Sequence, residues 1–132
     1  MSATRLQVLH FLTQLAALDS KDIVLSRQRK TLDFMEQIDY EMSDVVAELK
    51  RLQLEHYSYG PNQNDWGTGW VWHFGKTVVQ YLGKAEVPHR VYIKLNLSVT
   101  RDGRKTTCMS FHPPEKPMKF PYQKPPAQWS IQ

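Results

Sequence analysis

Apolar positions recur at three- and four-residue spacing up to about residue 53, and at two-residue spacing beyond it. Val8, Phe11, Leu12, Leu15, Ala16 and Leu18 predict a helix over 4–18. The run Ile23-Val24-Leu25 is either a short strand or a packed connector. Ser26 is placed to cap a second helix over about 27–38, built on Leu32, Met35 and Ile38. Its first turn carries Arg27, Arg29 and Lys30, which oppose the helix dipole and are either a solvated face or kept for a partner. Val45, Val46, Leu49 and Leu52 mark a third helix over 41–53, with Glu48, Lys50 and Arg51 facing water and an N-cap at Asp39 or Ser43.

Beyond that point the period becomes two. Strands are expected at 56–59, 70–79 and 89–99, separated by a Gly- and Asn-rich loop over 60–69 and a connector over 80–88. The strand at 70–79 has one face of Trp70, Trp72, Phe74, Lys76 and Val78, and another of Val71, His73, Gly75, Thr77 and Val79. In the strand at 89–99, Val91, Ile93, Leu95, Leu97 and Val99 form the dry stripe, and Arg90, Tyr92, Lys94, Asn96 and Ser98 the wet one. A hairpin turn follows at 101–104. A two-residue loop at Asp102-Gly103 would pair Leu95 with Ser110 and Leu97 with Cys108. A three-residue loop pairs Leu97 with Met109 and Leu95 with Phe111, and places His112 opposite Lys94. A one-residue slip turns every side chain to the other face, so the three-residue loop is expected. Residues 113–132 hold six of the eight prolines. They read as an extended tail that either packs across the sheet through Phe120, Tyr122 and Trp129 or is ordered only by a partner.

The expected class is therefore α+β: N-terminal helices (1–53) on a small antiparallel sheet (55–113), then the Pro-rich tail (114–132), in a single domain. A net charge of +4 is compatible with a polyanion or an acidic protein and selects neither. The single cysteine, Cys108, leaves no internal disulfide and fits a reducing cytoplasm. The N-terminus leads into an amphipathic segment, and no apolar run approaches the ~18 residues of a membrane span, so no membrane association is expected.

Arg90, Tyr92, Lys94 and His112 fall on one face of adjacent strands, a set suited to phosphodiester chemistry without a metal or cofactor. Lys and Arg hold a phosphate and its developing charge, histidine exchanges protons near neutrality, and a tyrosine orients the nucleophile or protonates a leaving oxygen. In RNA the adjacent 2′-OH is the nucleophile. His73 and His56 are weaker candidates for touching substrate. Trp66, Trp70 and Trp72 either stack bases or belong to the core. The histidines and the cysteine show no zinc spacing, and there is no phosphate-binding glycine loop or serine elbow. A non-catalytic module docking RNA or a protein on the same basic face is the competing expectation.

Four blocks resemble the MqsR-type toxins of bacterial toxin–antitoxin systems: Asp39-Tyr40 through Leu49 to His56-Tyr57, Trp70 to Lys76, Val91-Tyr92-Ile93-Lys94-Leu95, and Met109-Ser110-Phe111-His112-Pro113. Tyr59-Gly60-Pro61 and the tail from Pro117 to Tyr122 add to the likeness, which covers roughly residues 39–122. The resemblance implies a RelE-like fold and a metal-independent endoribonuclease acting on mRNA. It also implies neutralisation by a cognate antitoxin protein, through which any oligomer forms. By position the family's catalytic tyrosine falls on Tyr92 and its last basic residue on His112. The polar residue of its middle strand falls near Trp72-His73. A lysine of the family aligns with Ser58, leaving that role open to Lys76 or Lys94. The expected catalytic set is thus Tyr92, Lys94 and His112, with Lys76, Arg90, His73 and Tyr59 at the substrate.

Overall fold

The computed structural model describes residues 2–65, 69–101 and 103–131. The expected roles of Trp66 and of the turn residue Asp102 lie outside them.

The helical period is realised as α1 (Arg5–Ala17), α2 (Arg29–Ile38) and α3 (Met42–Lys50). Thr4 starts α1 with a reciprocal cap: its hydroxyl accepts from the Gln7 amide at 3.2 Å, and the Gln7 side-chain oxygen accepts from the Thr4 amide at 2.9 Å. Ser26 does not cap α2. Its amide instead donates to the Cys108 carbonyl at 2.9 Å, and Gln28 takes the cap position. Neither Asp39 nor Ser43 caps α3. Asp39 closes α2 in the left-handed conformation (φ 59°), and the Glu41 amide donates to Asp44 at 2.8 Å.

The strands are β1 (Ile23–Leu25), β2 (Tyr57–Gln63), β3 (Trp70–Leu82), β4 (Ala85–Thr100) and β5 (Gly103–His112). They form a five-stranded sheet of order β1-β5-β4-β3-β2, antiparallel except for β1 against β5. The apolar run 23–25 is thus a strand. Two expected irregular stretches are also strand. The connector over 80–88 is the end of a long β3–β4 hairpin, in which Leu82 pairs with Ala85 around Gly83 at φ 64°. The first four residues of the expected loop over 60–69 are the end of β2, which reaches Gln63 through two register shifts. Gly60 permits this: a Cβ there would lie 2.8 Å from the Val71 carbonyl oxygen.

The expected hairpin register is corrected. Thr100 pairs with Gly103, Leu97 with Thr106 and Leu95 with Cys108. A bulge then leaves Met109 unmatched, and pairing resumes as Lys94 with Ser110, Ile93 with Phe111 and Tyr92 with His112. The extra residue puts the faces back in phase, so Phe111 stays dry and His112 wet, but His112 lies opposite Tyr92 rather than Lys94.

The helices cover one face of the sheet. Val8, Phe11 and Leu15 of α1, Phe34 and Ile38 of α2, and Val45 and Leu49 of α3 pack on Phe74, Val91, Ile93, Leu95 and Phe111. Each such side chain stabilises the fold by about 1.5–3 kcal/mol on burial. The tail is not merely extended. It folds into a hairpin, β6 (Met118–Phe120) with β7 (Ala127–Trp129), on the opposite face. There a Cβ on Gly75 would meet Phe120 at 2.8 Å and Trp129 at 3.0 Å. Tyr122 stacks on Tyr57, with centroids 5.6 Å apart, and its hydroxyl donates to the Ala3 carbonyl. The tail therefore packs across the sheet through the three aromatic residues expected. No helix is long and apolar enough to cross a membrane among the described residues.

Candidate active site

The face left open by the helices carries a row of rings, one from each of four neighbouring strands. Tyr59 on β2 lies flat on His73 of β3, with centroids 3.8 Å apart and planes 8° apart. His73 is followed by Tyr92 of β4 at 6.0 Å, and Tyr92 by His112 of β5 at 5.7 Å. Alternation puts Tyr92 and Lys94 on this face and sends Val91, Ile93 and Leu95 into the core. The bulge at Met109 does the same for Ser110 and His112.

The hydrogen bonds orient the row. Asn62 donates through Nδ2 to the Gln63 carbonyl at 3.3 Å, so its Oδ1 faces His73 Nε2 at 2.7 Å. Nε2 therefore carries the proton, and Nδ1 accepts from the Tyr92 hydroxyl at 2.8 Å. Burial, with the Lys94 ammonium nearby, pushes His73 down to about 4, so it is neutral at pH 7. Burial, reinforced by the Tyr59 phenol, raises Tyr92 well above the ordinary tyrosine range, so it keeps its proton. In His112, Nδ1 faces the Pro113 carbonyl at 2.8 Å and must donate to it, leaving Nε2 as the nitrogen available for exchange.

Two clefts meet at Tyr92. One, of about 390 Å³, is lined by Tyr92, Lys94, Ser110 and His112 on the strands, by Gln28 to Lys30 in the first turn of α2, and by Glu115 of the tail. The other, of about 330 Å³, runs between Tyr59, Tyr92 and the tail from Pro114 to Met118. The position of α2 follows from the sheet. Strand β1 covers the outer edge of β5 only as far as Cys108. Beyond it the Phe111 amide donates instead to the Thr31 hydroxyl at 3.1 Å, which draws the start of α2 alongside Ser110 and His112.

Five of the seven expected site residues, Tyr59, His73, Tyr92, Lys94 and His112, are thus brought together. Lys76 and Arg90 are not. Lys76 points into the helix-covered side, where it is 9% exposed and bonds Glu48 Oε1 at 3.0 Å. This also corrects Glu48, expected in water: it is 6% exposed and accepts from Lys76, from Arg51 at 2.7 Å and from Tyr40 at 2.7 Å. Burial works to raise the Glu48 carboxyl, but hydrogen bonds from Arg51, Tyr40 and Lys76 outweigh it and hold the group below its ordinary range. The Arg90 guanidinium lies over the Trp129 ring at 5.2 Å, against the tail hairpin. Ser58 is structural, its hydroxyl donating to the Lys119 carbonyl at 2.6 Å. His56 sits apart from the row, with its Nδ1 bonded to the Gln53 amide at 2.9 Å. Trp72 is core, stacked on Phe11 at 4.5 Å, whereas Trp70 is half exposed on the helix side, away from the row. Asn62 was missed in the sequence, where it falls in an apparent loop. Its only signal there is its place three residues beyond Tyr59.

Comparison with protein-family models, with curated proteins and with solved structures finds no match to this chain.

Proposed function

We propose that this chain is a metal-independent endoribonuclease with a RelE-like fold. On this reading it is the toxin of a toxin–antitoxin pair of the MqsR type, acts on mRNA in the cytoplasm and is held in check by a cognate antitoxin protein. The observation that carries the reading is the row His73–Tyr92–His112 beside Lys94 in an open cleft.

The chemistry follows from the orientation of the groups. His112 Nε2 takes the proton of a ribose 2′-OH as its oxygen attacks the adjacent phosphorus. The O2′–P bond forms and the P–O5′ bond breaks, giving a 2′,3′-cyclic phosphate and a 5′-hydroxyl. Tyr92 turns its hydroxyl from His73 Nδ1 and supplies the proton to the departing O5′. An alkoxide is a stronger base than even this raised phenolate, so the transfer runs downhill. Neutral His73, held by Asn62, keeps the Tyr92 hydroxyl placed. Lys94 stabilises the charge that builds on the phosphoryl oxygens, in a setting where it has no anionic partner among the described residues. Proton return from the His112 imidazolium to the Tyr92 phenolate restores the starting state. Lys94, and not Lys76, then takes the role of the family lysine aligned with Ser58.

Expression in a bacterial host tests the biological side. The wild-type chain is expected to arrest growth, and both Tyr92→Phe and His112→Ala to relieve the arrest while accumulating as folded protein. Undiminished toxicity of both variants overturns the assignment. Purified protein that binds RNA and leaves it intact favours a binding module on the same face.

A further inference from the structure

The opening turn of α2 forms the wall of the larger cleft facing Lys94 and contains no acidic residue. Its cap residue, Gln28, makes no side-chain hydrogen bond to the turn, so the amide groups there are uncapped. Arg29 reaches only a loose contact with Asp33, at 3.7 Å. Two β5 side chains line the same cleft while being more than nine-tenths buried: Ser110 and His112, each 6% exposed. The Ser110 hydroxyl has no hydrogen-bond partner among the described residues, although the residue is buried. A hydroxyl that opens on a cationic cleft from an otherwise buried residue is placed to donate to an anion held there.

One acceptor of the right kind stands nearby. The tail turns back at Pro113-Pro114 and brings the Glu115 carboxylate to Lys30, with both oxygens on Nζ at 2.8 and 2.7 Å. Lys30 holds that carboxyl below its ordinary range. The pair is exposed, 62% and 58%, and surface pairs of this kind are weak because water screens them. An incoming anion therefore displaces Glu115 at little cost. A two-oxygen anion held on a lysine of a helix's first turn has the chemistry of a bound phosphate.

We propose that Lys30, the α2 amides and Ser110 form a second phosphate subsite, which takes the phosphodiester next to the scissile one and is occupied by Glu115 in the RNA-free protein. The inference rests on the nuclease reading for its ligand, but binding alone tests it. The probe is a 2′-O-methyl hexaribonucleotide, which lacks the attacking hydroxyl, followed by fluorescence anisotropy across a salt series.

Glu115→Gln is expected to tighten binding about threefold or more. Lys30→Gln is expected to weaken it several-fold and to make the salt dependence shallower by about 0.7, the slope of one single-strand phosphate contact. Ser110→Ala is expected to cost about twofold. Inorganic phosphate is expected to compete only at far higher concentration, since it fills one subsite. Unchanged affinity in Glu115→Gln, or full affinity and slope in Lys30→Gln, overturns the subsite. If wild type cuts ordinary RNA while these variants bind as it does, the subsite falls alone. If the variants shift as stated while wild type leaves ordinary RNA whole, the nuclease reading falls and the subsite stands.

Discussion

Lys76 and Lys94 sit on neighbouring central strands, one on each face of the sheet. Lys76 meets Glu48 at 3.0 Å beneath α3, and Arg51 and Tyr40 complete the network. Lys94 lies on the helix-free face, beside His112 and Ser110, and enters no ion pair among the described residues. The difference is made by what packs above each lysine. A helix that supplies a carboxylate converts a lysine into a structural cross-link, and a cleft leaves it free to meet an external anion. Residue type and strand position are the same in both. The neutralised cation is the buried one, as the cost of burying a lone charge requires.

Substitution should pull the two faces apart. Glu48→Ala leaves the Lys76 ammonium buried without a counter-charge and is expected to cost about 3–5 kcal/mol in urea unfolding. Its cleavage rate per folded molecule should be unchanged. His112→Ala reverses the pattern: the rate falls about 10²–10⁴-fold, while stability moves by about 1 kcal/mol for one lost hydrogen bond. A large rate loss in Glu48→Ala at a temperature where it is folded would break the contrast.

Acid should act through His73 on the far face and, in the same direction, through His56. Unfolded histidine binds its proton near 6.5, whereas His73 in the fold binds it only near 4. Between those values the unfolded state holds more protons, so stability rises with pH and is lost as pH falls from about 6.5 to about 4. For His73 the loss is up to about 3 kcal/mol. Burial likewise depresses His56, with Lys76 adding to it. His73→Gln is expected to flatten the larger part of the slope in urea midpoints measured between pH 4 and 7. A slope as steep as wild type would show that His73 is not buried neutral.

A smaller effect is expected from Gly75→Ala. The added methyl would press on Phe120 and Trp129, costing about 1–3 kcal/mol as overpacking does. The change should show first as faster proteolysis within residues 113–132, because the helix-covered core is untouched. Uniform resistance along the chain would mean that the tail is not held at Gly75.

The open face itself was legible in the sequence, because period-two alternation separates Tyr92 and Lys94 from Val91, Ile93 and Leu95 without reference to any partner. The register was not. A bulge at Met109 depends on how β5 meets both β4 and α2, which no local pattern encodes. The helical stripe of α3 was legible, but the fate of Glu48 was hidden: its partner Lys76 lies 28 residues on and approaches only across the finished core. Asn62 escaped because β2 is irregular, and its Gly- and Asn-rich stretch reads as loop until β3 is set beside it. Arg90 was expected at the substrate from its place on the polar face of its strand, and Lys76 as a stand-in for the family lysine aligned with Ser58; their neighbours, Trp129 and Glu48, were invisible at that range.

Tyr92, His112 and Lys94 are proposed to cleave RNA without a metal, and the ends of the products report on this. Purified protein is incubated with a defined RNA in excess EDTA, and the product ends are identified. Cuts that carry a 2′,3′-cyclic phosphate and a 5′-hydroxyl are expected, lost in His112→Ala and absent from 2′-O-methyl RNA. RNA that stays whole in EDTA, or cuts that persist in His112→Ala at the wild-type rate, would contradict it.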